Sequence, residues 1–536
     1  MEHGSCVACK HVIRRYSTGP CDRSSAITSN VQPAILWRHR AREQLGGGTF
    51  DLLIVGGGIT GASIARDAAL RGLSVALVER DDFAGGTSSR SSRLIHGGVR
   101  YLEHGYFRLV SEASRERQTL LRTAPHLVRP LQFTWPVYRG ARIGRWELRA
   151  GLALYDVLAR FGNVGRHHGL SAAAVLAAEP ALARDGLTGG ASYWDAATDD
   201  AAITLANVLD ARAAGAVVLN HATLQSVMTD GDRITGAVVR DELAGDTLRI
   251  AARVVVNATG PWTDTMRRME DPSAGPAVLG TKGVHIAVPA DRIGNRAAVT
   301  MLSPVDGRVM FCLPGHAQTI IGTTDTTTTT LPDRVRANRD DVRYLLESAN
   351  RFFPAARLGP RDVIAAWAGI RPLVSGGHTG DPASASREHS ITLGPRGVIA
   401  ISGGKLTTYR KIAEQAVDLA VRQLKRSVSP CVTATTTLRG AERTPVFGQL
   451  FEPIVEGQQW TLSDATRAVE HELACTLTDI LVRRTRVAFS SRDHGIPAAP
   501  RVAAVVARHM GWDAPECARQ VEAYRAEVAR LFTVDD

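Results

Sequence analysis

The chain has 536 residues, 44% of them apolar and 22% charged, with a formal net charge of +11. That length supports two or three domains and a large core, and no apolar run reaches the ~18 residues of a membrane-spanning helix. Seven cysteines in so long a chain do not build a disulfide framework, which favours a reducing compartment. The basic balance suits an anionic substrate, an anionic membrane or nucleic acid, and arginine-rich composition without a partner explains it equally well.

Residues 1–48 carry scattered Arg and His and no sustained periodicity, so a flexible extension is expected. Cys6, Cys9 and Cys21 lie near histidines, but the irregular spacing favours loose chain over a metal site. No apolar stretch serves as a secretory signal, and Arg14 to Ser17 hint only at organelle targeting.

The segment "FDLLIVGGGITGASIARDAALRGLSVALVER" then predicts strand, helix and strand. Gly56, Gly58 and Gly61 form the dinucleotide fingerprint: a tight turn, close backbone approach to a pyrophosphate, and close helix–strand packing. The helix N-terminus offers free N–H groups to phosphate. Glu79 closes the second strand, where an acid grips the adenosine ribose, which argues against NADP. The fingerprint alone leaves NAD and FAD open. Two later elements favour FAD. "RVVVNATG" is a buried strand ending at Ala258 and Gly260, as flavoproteins of the glutathione-reductase type show. "GVIAISGGKLTTYRKIAEQAVDLAV" pairs a strand with Gly403-Gly404 and a helix starting near Lys405. Its N-terminus would favour the negative charge of a reduced flavin.

Between these elements lies "TSSRSSRLIHGGVRYLE", too polar for a core strand and too rich in glycine for a helix. This segment resembles "TSSxSSKLIHGGLRYLE" of the FAD-dependent, quinone-linked glycerol-3-phosphate dehydrogenases, with Arg93 for Lys and Val99 for Leu. The similarity continues through "FRLVSEA", "APHLV", "NATGPW", "KGVHI", "IGTTD", "GIRPL" and "GGKLTTYRK", closely over residues 50–425 and more loosely to "LVRRTR". It implies oxidation of sn-glycerol 3-phosphate to dihydroxyacetone phosphate, with electrons passed to membrane quinone. Cofactor contacts are expected from Thr87, Ser88, Ser89, Ser92, His96, Gly97, Gly98, Leu406 and Thr407, although each hydroxyl competes with simple capping of its own loop. The resemblance makes Arg371 and Arg387 the phosphate clamp and puts Arg100 and Tyr101 in the substrate pocket. His285 is the first choice of general base, ahead of Lys405 and His96. A structural histidine competes for the His285 position. Val284 stands where the family has a small hydroxyl. Asp325 either orients a partner or caps a turn.

The expected fold is α/β: a glutathione-reductase-type FAD-binding Rossmann domain, an inserted antiparallel-sheet substrate domain and a C-terminal helical domain. The FAD domain is assigned to 49–125, 190–270 and 360–425. The strand patterns "KGVHIAVPA" and "GRVMFCLPG" go to the substrate domain, and 430–536 to amphipathic helices. No calcium-loop pattern appears there. Peripheral attachment to the inner face of the cell membrane, from the cytoplasm, follows from the resemblance. The basic and apolar letters of 135–170 are one candidate face, and read more simply as a packed helix pair. The oligomeric state stays open, a homodimer included, and no nucleic acid is implied. Two rivals remain. One is a glycerol-3-phosphate oxidase or flavin amine oxidase using oxygen; an amine oxidase needs one arginine for a carboxylate rather than the Arg371–Arg387 pair. The other is a non-catalytic flavin-binding regulator, whose flavin substrate would not bleach.

Overall fold

A computed structural model describes residues 35–374, 389–439 and 451–536, except the side chains of Arg100 and His104. The expectations for Arg387, for Cys6, Cys9 and Cys21, and for Arg14 to Ser17 lie outside those residues.

Strand Thr49–Val55 is buried at every position after the first, as a strand covered on both faces of a parallel sheet must be. It pairs in parallel with Val75–Val78 on one side and Thr247–Asn257 on the other. Helix Ile59–Leu70 makes the crossover, buried continuously from Gly61 to Ala69. Val217–Leu219 and Ile399–Gly403 extend the parallel order. His389–Leu393 adds an antiparallel edge. The hairpin Ala222–Asp230 and Arg233–Asp241 joins the early half of Thr247–Asn257. The carboxyl ends of these parallel strands open on one crevice, where ligands of such sheets bind.

The second sheet centres on Val278–Pro289, flanked by Gln318–Gly322 and Ala365–Val374, and continues through Val309–Leu313, Ala298–Leu302, Val128–Tyr138 and Leu187–Thr198. Its pairs are antiparallel except that of Ala298–Leu302 with Val128–Tyr138. Val284, Ile286 and Val288 alternate onto the face that packs on helix Arg339–Phe352.

Three expectations are corrected. Strands Leu187–Thr198, Ala365–Val374 and Leu94–Ile95 belong to the second sheet, so the pieces 190–270, 360–425 and 49–125 each include residues of that sheet. Period-two patterning announces a strand but not its partner. The extension expected to run to residue 48 ends in helix Leu36–Gly46. Arg38, Ala41 and Leu45 form its buried face, and Arg38 donates to Asn220 O at 2.6 Å and Asp241 Oδ1 at 2.5 Å. The region 135–170 is not a helix pair: it is the end of strand Val128–Tyr138 followed by the single helix Arg145–Leu158 and the strand His168–Ser171.

In the C-terminal region, helices Leu462–His471, Ala499–Met510 and Ala514–Phe532 pack through Ala465, Ala468, Val502, Val506, Tyr524 and Val528. The apolar run through "LVRRTR" does not continue as one helix. Asp479 accepts from the N–H groups of Cys475 and Thr476 at 2.8 and 3.0 Å, and Arg486 turns through φ +56°. The turn brings Arg483 and Arg484 onto the fully buried Asp82, with N–O distances of 2.5 to 2.9 Å. Removing one partner of a buried ion pair leaves charge without compensation. Arg484→Ala is therefore expected to cost about 3 kcal/mol, read as a lower urea midpoint; an unchanged midpoint would show that Arg483 alone satisfies Asp82.

Candidate active site

One cavity of about 510 Å³ runs from Glu79 and Arg80 at the end of the second strand to His285, Arg371 and Lys405. Its near end is made of backbone. Gly56 has φ +108°, and a Cβ there would stand 2.6 Å from Ala258 O; one on Gly61 would stand 1.9 Å from Gly56 O. Only glycine lets turn, helix and returning strand approach this closely. Gly58 precedes the first turn of helix Ile59–Leu70, where Ile59 N donates to Ser88 Oγ at 2.9 Å. Glu79 accepts from Gly57 N at 2.6 Å and Asp81 N at 2.9 Å. Burial, then the charge of Asp81, pushes its carboxyl up to about 7. Its oxygens keep acceptor capacity for hydroxyl donors.

The polar segment after Gly86 forms the long wall. Thr87, Ser88, Ser92 and His96 line the cavity. Thr87 Oγ1 donates to Ile370 O at 2.6 Å. Ser91 donates through N and Oγ to Asp200 Oδ2 at 2.9 and 2.7 Å. Thr407 Oγ1 accepts from His96 N at 3.0 Å and donates to His96 O at 3.1 Å. Four expected cofactor residues do not line the cavity. Ser89 is buried with its hydroxyl toward Gly86 O. The space beside Gly97 is taken by Tyr155 and Ser114, and that beside Gly98 by the Tyr101 ring. Gly61 likewise packs behind the turn.

The far end is cationic. Arg371, on Ala365–Val374, donates to Asp325 Oδ1 at 3.1 Å, Thr323 Oγ1 at 2.8 Å and Thr324 O at 3.1 Å. Gly283 opposite leaves the room its guanidinium occupies. Asp325 also holds Arg308 at 2.8 Å, so the acid orients an arginine. Lys405 Nζ sits 3.6 Å from the Tyr101 ring centroid, a cation–π contact. Gly403 and Gly404 take positive φ, a 3₁₀ turn spans Leu406–Thr408, and helix Tyr409–Leu424 follows. The helix thus starts four residues later than expected, still with its N-terminus toward the cavity. His285 shares a 2.8 Å hydrogen bond through Nε2 with Ser92 Oγ and stacks on Trp367 at 5.6 Å and 15°. Burial, followed by the cations Arg371 and Arg93, lowers its imidazole to about 3.

These groups fit FAD: a cradle whose Cβ positions are already filled by backbone, an acid at a strand end, and helix N-termini toward both ends of the cavity. Sequence reasoning missed Arg90, Trp262, Met266, Phe311 and Ile401, which also line it. Phe311 carried a signal, since alternation in "VMFCL" sets it opposite the buried Met310 and Cys312. Arg90 stood inside the quoted motif; burial first, then Arg530, lowers its guanidinium to about 10.

Residues 51–410 match the family model described as FAD dependent oxidoreductase, and 434–517 that of the C-terminal domain of alpha-glycerophosphate oxidase. The chain is 36% identical to a glycerol-3-phosphate dehydrogenase of Synechocystis, over 89% of this chain and 95% of that protein. It is 38% identical to the glycerol-3-phosphate dehydrogenase of Mycobacterium leprae, over 92% and 90% respectively. Its structure matches the X-ray structure of the glycerol-3-phosphate dehydrogenase from Bacillus halodurans complexed with FAD, with TM-score 0.74, 30% identity, and coverage of 93% of this chain and 98% of that one. With its glycine cradle and its cationic cavity end in one continuous site, the chain belongs to the FAD-dependent glycerol-3-phosphate dehydrogenase family.

Proposed function

We propose that the protein oxidises sn-glycerol 3-phosphate to dihydroxyacetone phosphate and passes the electrons to a membrane quinone. The observation that carries this reading is that Arg371, His285 and Lys405 line the same cavity as the glycine turn at Gly56. FAD, when bound, supplies the hydride acceptor. Arg371, held in orientation by Asp325 and Thr323, binds the phosphate dianion with two parallel donors. Tyr101, which lines the cavity, flanks the glycerol chain. His285 takes the hydroxyl proton, entering the reaction neutral because burial and two cations disfavour its charge. Lys405, over Tyr101, fixes the substrate and stabilises negative charge near the cofactor. Phe311, which lines the cavity, keeps water from the reacting carbon.

Among the described residues no helix is long and apolar enough to cross a membrane. Docking from the cytoplasm onto an anionic bilayer is supported by helix Arg145–Leu158 and the loop after it. There Trp146 is 78% and Phe161 60% exposed, beside Val157 and Val164. Arg145, Arg149, Arg160 and Arg166 share the segment. Apolar insertion and basic charge together give peripheral attachment.

Arg371→Ala should raise KM for glycerol 3-phosphate tenfold to about a hundredfold, the worth of charge-assisted hydrogen bonds, with FAD still bound; unchanged kinetics would remove it from the clamp. His285→Ala should slow anaerobic flavin reduction by about 10²-fold or more, whereas a normal rate would pass the base role to Lys405 or His96. The pair Trp146→Glu and Phe161→Glu should abolish co-sedimentation with anionic vesicles while leaving activity toward a soluble acceptor intact. Retained sedimentation would place the docking face elsewhere.

A further inference from the structure

The hydrogen bond between Ser92 and His285 changes what the imidazole can reach. His285 is only 3% exposed. One face of its ring is covered by Trp367, and its Cδ2 edge presses on Gly322, where an added Cβ would come within 2.1 Å. Nδ1 is buried and has no hydrogen-bond partner among the described residues. Nε2 is therefore the atom left to exchange a proton with the cavity, and Ser92 Oγ occupies it at 2.8 Å. Ser92 itself is partly exposed and lines the cavity together with Arg371 and Lys405.

We propose that Ser92 is a catalytic residue: its hydroxyl touches the reacting alcohol and relays the proton to His285 Nε2. This rests on the glycerol 3-phosphate reading above. FAD, when bound, would accept the C2 hydrogen with its electron pair as hydride, while the alcohol O–H breaks and the C2–O bond becomes double. The alcohol proton passes to Ser92 Oγ while the proton already on Ser92 passes to Nε2. Ser92 ends neutral, His285 ends as imidazolium, the substrate has lost two electrons and the flavin has gained them. A hydroxyl suits the relay because it donates and accepts at once. Burial first, and then Arg371 and Arg93, keep the imidazole neutral; a phosphate dianion beside Arg371 offsets the part due to the cations, so the relay gains driving force when the substrate is in place.

The test uses the FAD-loaded enzyme and anaerobic stopped-flow reduction by sn-glycerol 3-phosphate. Wild type comes first: if its flavin is not reduced, the substrate reading fails and the relay with it. If it is reduced, Ser92→Ala is expected to keep full FAD content and substrate affinity within about twofold, and to lose about 100-fold in the reduction rate, the worth of a positioned proton carrier. Ser92→Ala and His285→Ala combined should be no slower than the slower single variant, because the two act as one unit. In mixtures of H₂O and D₂O the wild-type rate should bend downward with two protons in flight. A wild-type rate in Ser92→Ala, loss of its FAD, additive losses in the double variant, or a linear isotope dependence in wild type would each overturn the relay. The isotope measurement needs no variant and stands if Ser92→Ala does not fold.

Discussion

The wall of the cavity from Thr87 to Gly98 has almost no hydrogen-bond ladder of its own. It contains one 3₁₀ turn, Thr87–Ser89, and a two-residue strand, Leu94–Ile95. Several of its other backbone groups are satisfied from outside, as buried polar groups must be. Asp200 takes Ser91, Thr407 clamps His96, Tyr155 and Asp195 accept from Gly97 N, and Arg486 donates to Ser89 O at 3.0 Å. Those partners come from the parallel sheet's helices, the second sheet, the segment before helix Tyr409–Leu424 and the C-terminal region. The cavity wall therefore exists only when all of them are assembled. This is why a C-terminal run of arginines, far along the chain from the glycine fingerprint, bears on the site.

Charge is arranged in two tiers. Deep pairs are closed: Arg117 lies fully buried against Asp195 and Tyr155, and Arg483 and Arg484 close on Asp82. Such pairs add little net stability, because desolvation consumes most of the Coulombic gain, but each is costly to break. They set geometry: the Tyr155 hydroxyl that Arg117 holds is the same one that receives Gly97 N. At the far end of the cavity the cations are held in place: Arg371 is oriented by Asp325, which it shares with Arg308, and Lys405 rests on the aromatic face of Tyr101. A dianion entering there meets donors already in place, so little conformational entropy is lost on binding.

Local features of the fold were legible in the sequence because their physics is local. Gly56, Gly58, Gly61 and Glu79 announce turn, crossover and acid within one unit, and the structure builds that unit from those letters. Strands Val278–Pro289 and Val309–Leu313 were visible in their alternation. The assignment of Leu187–Thr198 and Ala365–Val374 to a sheet was not, because it depends on partners far away in sequence. Helix Leu36–Gly46 was hidden by its arginines: Arg38 reads as a surface cation until Asp241 and Asn220 are seen around it. The Ser92–His285 bond spans 193 positions, and nothing in either motif names the other. Asp325 left two readings open, and only its geometry with Arg371 and Arg308 separates them. The relatives' family was legible because several long motifs stand in order, whereas the role of each hydroxyl in "TSSRSS" was not, since a loop serine and a ligand serine look alike in sequence.

The proposed function requires that glycerol 3-phosphate, bound in this cavity, reduce the flavin. The direct measurement is the spectrum of the purified holoenzyme, kept anaerobic, before and after sn-glycerol 3-phosphate is added and again after a quinone analogue. If glycerol 3-phosphate reduces the flavin, the oxidised band near ~450 nm, typical of flavin cofactors, bleaches and then recovers with the quinone. A flavin that stays oxidised in the presence of glycerol 3-phosphate would contradict it.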